Sequence, residues 1–169
     1  MVFFVIEIKT RAIHIAGIRV APDADWTKQV ARNLVDPEPI DGFLRNAKFL
    51  VHDRDPLFNR AWSQLLGNAG VSCVAIPAQS PNCIPYAERF VRTVREECLD
   101  RFVIFGEAHL RHLLGEFVQH YNRERYHQGI GGKLVMPNLL AETDNGAVGT
   151  IKTRSRLGGI LNSYHREAA

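Results

Sequence analysis

Segments rich in β-branched and aromatic residues alternate along this chain with segments of helical periodicity. Residues 2–8 and 12–20 predict a β-hairpin, with Lys9-Thr10-Arg11 between its strands. The later predicted elements, in chain order, are a helix capped by Asp23, a strand at 49–51, a helix at about 59–68, a strand at 71–76, and helices at about 85–99 and 107–123. This order predicts an α/β fold, in which helices cover the faces of a mixed sheet.

Length and composition narrow the class of protein. A chain of 169 residues with 46% apolar and 23% charged residues is typical of one globular domain and not of a disordered or fibrous protein. The 21 Lys and Arg residues against 18 Asp and Glu residues exclude a histone-like basic coat but remain compatible with a local basic face.

The sequence also bears on where the protein acts. The N-terminal apolar run Val2–Ile6 is far shorter than the roughly 20 residues of a membrane span, so no membrane partner is expected. Because Cys73, Cys83 and Cys98 lack metal-type spacing, a reduced, cytoplasmic protein is predicted.

Asp53 is the first candidate functional residue. It follows the predicted strand 49–51 directly, and the carboxyl ends of strands are where α/β sheets usually place ligands. The alternative is a structural Asp that caps a turn, or the helix that begins at Asn59, and an isolated Asp before a Pro-containing turn favours that alternative.

Glu88 is the second candidate and lies early in the predicted helix at 85–99. Arg92 and Arg95 follow four and seven positions later, so the three side chains share one helical face. Spacing alone favours a solvated, ion-paired surface. The functional interpretation is a carboxylate that binds Mg²⁺ beside cations that bind phosphates, because Mg²⁺ takes one or two protein carboxylates plus substrate phosphates.

The stretch 120–127 mixes basic and aromatic residues at a predicted helix end. It is either a helix C-terminus whose cations complement the helix dipole, or a phosphate-contacting patch that includes Arg123 and Arg125. Composition does not decide between the two. Further on, residues 145–169 carry Lys152, Arg154, Arg156 and Arg166 against Glu167, which predicts a core at 1–140 and a basic C-terminal tail at 141–169.

In their order and spacing these segments resemble the integrase catalytic core of bacterial insertion-sequence (DDE-type) transposases, which is similar to that of retroviral integrases. Asp53 and Glu88 are 35 positions apart, close to the spacing of the family's second and third carboxylates. The stretches that carry the resemblance are HDRDPLF at 52–58, SPN at 80–82, YAERF at 86–90, HYN-x-x-R-x-H at 120–127, and RLGG at 156–159 followed by Tyr164-His165.

The resemblance implies a ribonuclease H-like fold and a DNA substrate. It implies three carboxylates that bind two Mg²⁺ or Mn²⁺ ions, and 3′-end processing and strand transfer by in-line attack. By the same resemblance Asp53 and Glu88 are metal ligands with a catalytic role, and Arg92 and Arg95 match basic positions that approach the DNA. No other cofactor is expected.

The sequence departs from the family at its beginning. The family's first catalytic Asp lies on a strand that precedes the one at 3–8 here, and Glu7 matches a different position. We therefore expect an N-terminally truncated core with weakened metal binding and little or no strand transfer by itself.

The missing strand would also affect folding. Each buried backbone group left unpaired by a missing central strand would cost on the order of 1–3 kcal/mol. Re-pairing, self-association or a borrowed strand would repair the sheet. Alternatively, the gene product starts upstream.

Two other functions are compatible with the same sequence. The first is a non-catalytic module that binds DNA, or pairs with a full-length transposase, and so modulates transposition. The second is a ribonuclease H-like nuclease of another family, against which the HYN-x-x-R-x-H stretch argues.

Overall fold

A computed structural model describes residues 1–36, 42–78, 83–136 and 150–166 of the chain. The chain divides into two compact units, of which the first comprises Met1–Phe4 and Ala16–Pro85 and the second Val5–Ile15 and Tyr86–Ala169. Strands β1 (Val2–Ile6) and β2 (Ile13–Ile18) pair with each other, which confirms the predicted hairpin, and each unit includes part of it.

The first unit contains, in chain order, α1 (Ala24–Val35), β3 (Phe49–His52), α2 (Arg60–Asn68) and β4 (Ser72–Ala75). Strands β3 and β4 are parallel, with Phe49 opposite Ser72 and His52 opposite Ala75. Because parallel strands end at the same edge, Asp53 follows β3 beside the end of β4.

Local sequence chemistry starts both helices of the first unit. The Asp23 carboxylate accepts a hydrogen bond from Trp26 N at 2.8 Å and caps α1 as predicted, and the Asn59 amide accepts one from Trp62 N at 3.1 Å and caps α2. The apolar side of these helices forms the core of the unit, where Leu34, Trp62 and Leu66 are fully buried.

The second unit contains, besides its part of the first hairpin, α3 (Pro85–Glu97), α4 (Gly106–Arg123), β5 (Tyr126–His127), β6 (Lys133–Leu134), β7 (Ile151–Arg156) and β8 (Leu161–Arg166). Helix α3 buries Phe90 and Val94, and α4 buries Leu113, Leu114 and Phe117. The face of α3 opposite its buried residues is consequently exposed.

Residues 151–166 form an antiparallel hairpin inside the segment that the sequence predicts as a basic tail. Ile151 pairs with Arg166 and Arg156 with Leu161. The pattern of β7 is charged rather than apolar, so hydrophobic alternation did not mark it as a strand. In β8 only Leu161 and Ser163 are buried. The division into 1–140 and 141–169 stays a prediction.

The architecture is an α/β arrangement of helices and small sheets. Within the residues that the structure describes, the strands pair two by two in four sheets, β1-β2, β3-β4, β5-β6 and β7-β8. The single mixed sheet of the ribonuclease H type therefore stays a prediction. No helix in the described part of the chain is long and apolar enough to cross a membrane.

Candidate nucleic-acid interface

Asp53 is exposed and lies in a turn at the carboxyl end of β3. Its Oδ1 accepts a hydrogen bond from Asp55 N at 3.1 Å, and Asp55 Oδ1 accepts one from Leu57 N at 2.9 Å. Two successive side-chain turns of this kind fix the backbone, so Asp53 does cap a turn, which leaves a role as metal ligand untested. The helix cap is Asn59 and not Asp53. The second carboxylate oxygen of Asp53 makes no hydrogen bond with a described residue and is available to a ligand.

The residues around Asp53 hold the turn at this edge of the strand pair. Arg54 Nε donates to the carbonyl oxygen of Ile76, just after β4, at 2.8 Å. His52 packs edge-on against Phe58 and Trp62, with ring centroids 5.2 and 5.1 Å apart. The turn is therefore tied to both strands and to the core of the first unit.

Glu88, Arg92 and Arg95 are all exposed on α3. Arg95 Nε lies 3.8 Å from Asp100 Oδ1, a loose surface pair that contributes little stability. Among the described residues Glu88 and Arg92 make no ion pair. The face is solvated, as the surface alternative predicts, but its only ion pair among the described residues is the loose one of Arg95 with Asp100. Sequence reasoning missed Arg89, a further exposed arginine three positions before Arg92.

The stretch 120–127 is largely structural. Asn122 is buried at the end of α4, where its Oδ1 accepts a hydrogen bond from Ile13 N at 3.0 Å and its Nδ2 donates to Ile13 O at 2.8 Å. The side-chain amide thus pairs with the first residue of β2 as a neighbouring strand would.

Arg125 and His127 are also engaged within the second unit. Arg125 forms an ion pair with Glu97 at the end of α3, and Nε2 of His127 donates to Tyr121 O at 2.8 Å. Burial lowers the pKa of His127, although its hydrogen bond to Tyr121 O acts in the opposite direction. Of the two arginines predicted to contact DNA here, Arg123 is exposed and Arg125 is already paired.

Glu124, which sequence reasoning missed, is the centre of a buried polar network. Its side chain is 6% exposed and takes hydrogen bonds from the Arg156 guanidinium, with an Nη2–Oε1 distance of 2.6 Å and Nε at 3.1 Å from both oxygens. His120 Nδ1, Arg154 Nη1 and the Ser163 hydroxyl donate to the same carboxylate. The one signal in the sequence is that Glu124 is the sole acidic residue within 120–127.

The charges of this network set the protonation of its members. Burial by itself would raise the pKa of Glu124, but hydrogen bonds from Arg156 and His120 outweigh it and lower the pKa to about 2. The hydrogen bond to Glu124 raises the pKa of Arg156, which also bonds Glu116 at 2.9 Å. Arg154 and Arg156 of the predicted basic tail are therefore committed to intramolecular ion pairs.

Asp53 belongs to the first unit and Glu88 to the second, together with the four candidate arginines. Within residues 1–36, 42–78, 83–136 and 150–166 no group of three or more His, Cys, Asp or Glu side chains could hold a metal ion. The two candidate carboxylates thus belong to different units, and Glu88 shares its unit with the candidate arginines.

The integrase core domain model matches residues 69–134. Integrase core domains bind DNA, so this match supports a function in DNA integration. No curated protein and no solved structure matches the chain.

The matched segment 69–134 includes Glu88 and all four candidate arginines but begins after Asp53. Within it the structure separates two kinds of residue. Glu88, Arg92, Arg95 and Arg123 are exposed on helices, where a DNA strand could reach them. The side chains of 120–127 that hold other parts of the unit are His120, Asn122, Glu124, Arg125 and His127.

Proposed function

We propose that this chain is the integrase-core segment of a DDE-type transposase of the kind encoded by bacterial insertion sequences. The observation that carries the proposal is the match at 69–134, which includes Glu88 and Arg92, both exposed on α3 and without an ion-pair partner in the described part of the chain. The proposal includes the ribonuclease H-like sheet arrangement. DNA is the substrate, and the site of action is the bacterial cytoplasm, where such an element's DNA lies.

Asp53 and Glu88 suit a divalent ion by the chemistry of their donors. Carboxylate oxygens are ligands that Mg²⁺ and Mn²⁺ prefer, and both side chains are exposed with oxygens that no described residue engages. A bound pair of ions would activate the attacking oxygen and stabilise the leaving one. The family uses three carboxylates and this sequence matches two of them, so we propose weak metal binding and no strand transfer by these 169 residues alone.

Metal binding tests the roles of Asp53 and Glu88. We expect Asp53→Asn and Glu88→Gln each to weaken the affinity for Mn²⁺ by about tenfold or more, because each removes a ligand charge. Isothermal titration calorimetry measures this directly. Glu107→Gln is the matched control, because Glu107 is also an acid in a helix's first turn with an arginine, Arg111, four positions later. Unchanged affinity in both test variants would exclude these residues as ligands.

Salt-dependent DNA binding tests the arginine face of α3. We expect Arg92→Gln and Arg95→Gln each to weaken binding to duplex DNA and to reduce the slope of log affinity against log salt by about 0.9, the value for one lost phosphate contact. Fluorescence anisotropy at several salt concentrations measures both quantities. Arg111→Gln serves as control, because Arg111 is exposed but paired with Glu107. If both variants have the same slope of log affinity against log salt as the wild type, the DNA does not contact the arginine face of α3.

A second candidate function is a non-catalytic module that binds DNA or pairs with a full-length transposase. The described cations Arg89, Arg92 and Arg123, none of which has a carboxylate partner in the described part of the chain, favour DNA binding without requiring a metal. Under this function the Asp53→Asn/Glu88→Gln double variant binds DNA like wild type, and binding persists in EDTA. Loss of binding in EDTA would favour the metal-dependent core.

A further inference from the structure

Arg11 lies in the turn of the first hairpin and stacks on a side chain of α3. Its guanidinium carbon is 3.6 Å from the centroid of the Tyr86 ring, and both residues belong to the second unit. The backbone of Arg11 has φ 72°, in the left-handed region that costs a non-glycine residue energy. A hydrogen bond from its guanidinium to Ile8 O helps to hold this conformation.

Two other arginines, Arg89 and Arg125, share the surroundings of Tyr121 with Arg11. Arg89 is three positions after Tyr86 on α3 and so lies on the same helical side. Burial raises the pKa of Tyr121, and the charges of Arg125, Arg11 and Arg89 oppose that shift, so the three arginines lie near one tyrosine. Arg125 is neutralised by Glu97, whereas Arg11 and Arg89 have no carboxylate partner among the described residues.

Arg11 differs from Arg156, an arginine whose guanidinium is fully used within the fold. Arg156, which holds the β7–β8 hairpin, is mostly buried and bonds two carboxylates, Glu116 and Glu124. Arg11 is half-buried and bonds one carbonyl oxygen, so most of its five N–H donors stay available. A stacked guanidinium keeps its donors in the plane, directed outward, which is the geometry that binds a phosphate with two hydrogen bonds.

We propose that Arg11, held flat by Tyr86, binds a backbone phosphate of a DNA strand beside the start of α3. Tyr86 is two positions before Glu88 in the first turn of that helix, so this contact holds the strand at the helix that carries Glu88. The inference rests on the proposed function, because it takes DNA as the ligand, and it adds a positioning contact that lies outside the family match.

The test measures DNA binding by the full chain with a fluorescent duplex at several salt concentrations. Arg11→Gly is the main variant, because glycine adopts φ 72° without strain and the hairpin turn is kept. We expect it to bind about fivefold more weakly at low salt, with the salt slope reduced by about 0.9. Tyr86→Phe, which keeps the ring, is expected to bind like wild type.

Tyr86→Ala tests whether the ring orients the guanidinium. We expect it to lower affinity because the arginine loses its platform, and we expect Arg11→Gly/Tyr86→Ala to bind no more weakly than Arg11→Gly alone. Additive losses in the double variant would overturn the proposed coupling.

The outcomes separate this inference from the proposed function. Wild-type affinity and slope in Arg11→Gly, with weakened binding in Arg92→Gln, would overturn the role of Arg11 and leave the function standing. No binding by the wild-type chain at low salt would overturn the function itself.

Circular dichroism checks whether Arg11→Gly folds. If it does not fold, Arg11→Lys replaces it as the test variant. We then expect an unchanged salt slope and an affinity about threefold weaker, because lysine lacks the planar fork of donors. Unchanged affinity in Arg11→Lys would overturn the inference.

Discussion

Replacing Glu124 by Ala is expected to lower the free energy of unfolding by about 3–5 kcal/mol, because it leaves the charge of Arg156 buried without its main partner. The side chain of Arg156 is 19% exposed and its remaining carboxylate partner is Glu116. Urea denaturation followed by circular dichroism measures the change. Since the same carboxylate holds Arg154 and Ser163, the β7–β8 hairpin should be the first part to lose protection against hydrogen exchange.

Glu107→Ala is the control for this prediction. Glu107 pairs with Arg111 at 2.9 Å on the surface of α4, where an exposed ion pair contributes about 0–1 kcal/mol. A loss of less than about 1 kcal/mol in Glu124→Ala, similar to that of the control, would show that the network does not hold the hairpin.

Glu124 also makes stability depend on pH in a defined window. Its pKa is lowered from 4.5 to about 2 in the folded chain, so its contribution is present above pH 4.5 and is lost as the pH falls towards 2. Glu124→Gln should flatten the stability curve between these two pH values. A variant whose stability still falls as steeply as that of the wild type would assign the acid sensitivity to other carboxylates.

Replacing Asn122 by Ala is expected to lower the free energy of unfolding by about 2–4 kcal/mol, because it leaves two buried backbone groups of Ile13 without partners. Ile13 is 2% exposed and Asn122 6%, so water cannot replace the lost hydrogen bonds. Asn122→Asp keeps the acceptor for Ile13 N but loses the donor to Ile13 O, and should likewise destabilise the chain. Denaturant unfolding measures both.

Arg123→Ala is the matched control for Asn122, because it changes the neighbouring exposed residue on the same helix. We expect a change within about 0.5 kcal/mol in stability together with weaker DNA binding. Asn122→Ala should show the reverse, namely lower stability with unchanged DNA affinity in the protein that remains folded. If Asn122→Ala is as stable as wild type, the amide contributes no net stabilisation through Ile13.

The HYN-x-x-R-x-H stretch at 120–127 illustrates that a sequence motif does not by itself determine the role of its residues. Its residue types fit a phosphate-contacting patch as well as they fit a helix C-terminus. The structure engages Asn122, Arg125 and His127 with groups of the second unit and leaves Arg123 exposed. Most side chains of the motif therefore hold the second unit together, and the DNA contacts that we propose lie on α3, at Arg11 and at Arg123.

The sequence by itself determined the order of most elements, the Asp23 cap of α1, the approximate start of α2 and the exposed face of α3. These features are local, because a cap reaches only three residues and a helical face repeats every three or four. The turn that fixes Asp53 is equally local, since its hydrogen bonds span two residues.

Only the tertiary structure decided which polar groups meet. Asn122 bonds a residue 109 positions away, Arg125 one 28 positions away, and Glu124 one 32 positions away. The β7–β8 hairpin is likewise bonded to α4 and its C-cap through Arg156, which pairs with Glu116 and Glu124. The type of a charged or amide side chain indicates that it needs a hydrogen-bond or ion-pair partner. It does not indicate which partner, because solvent, a ligand or a distant residue can each fill that role. Burial excludes solvent as the partner, and only the folded chain determines which side chains are buried.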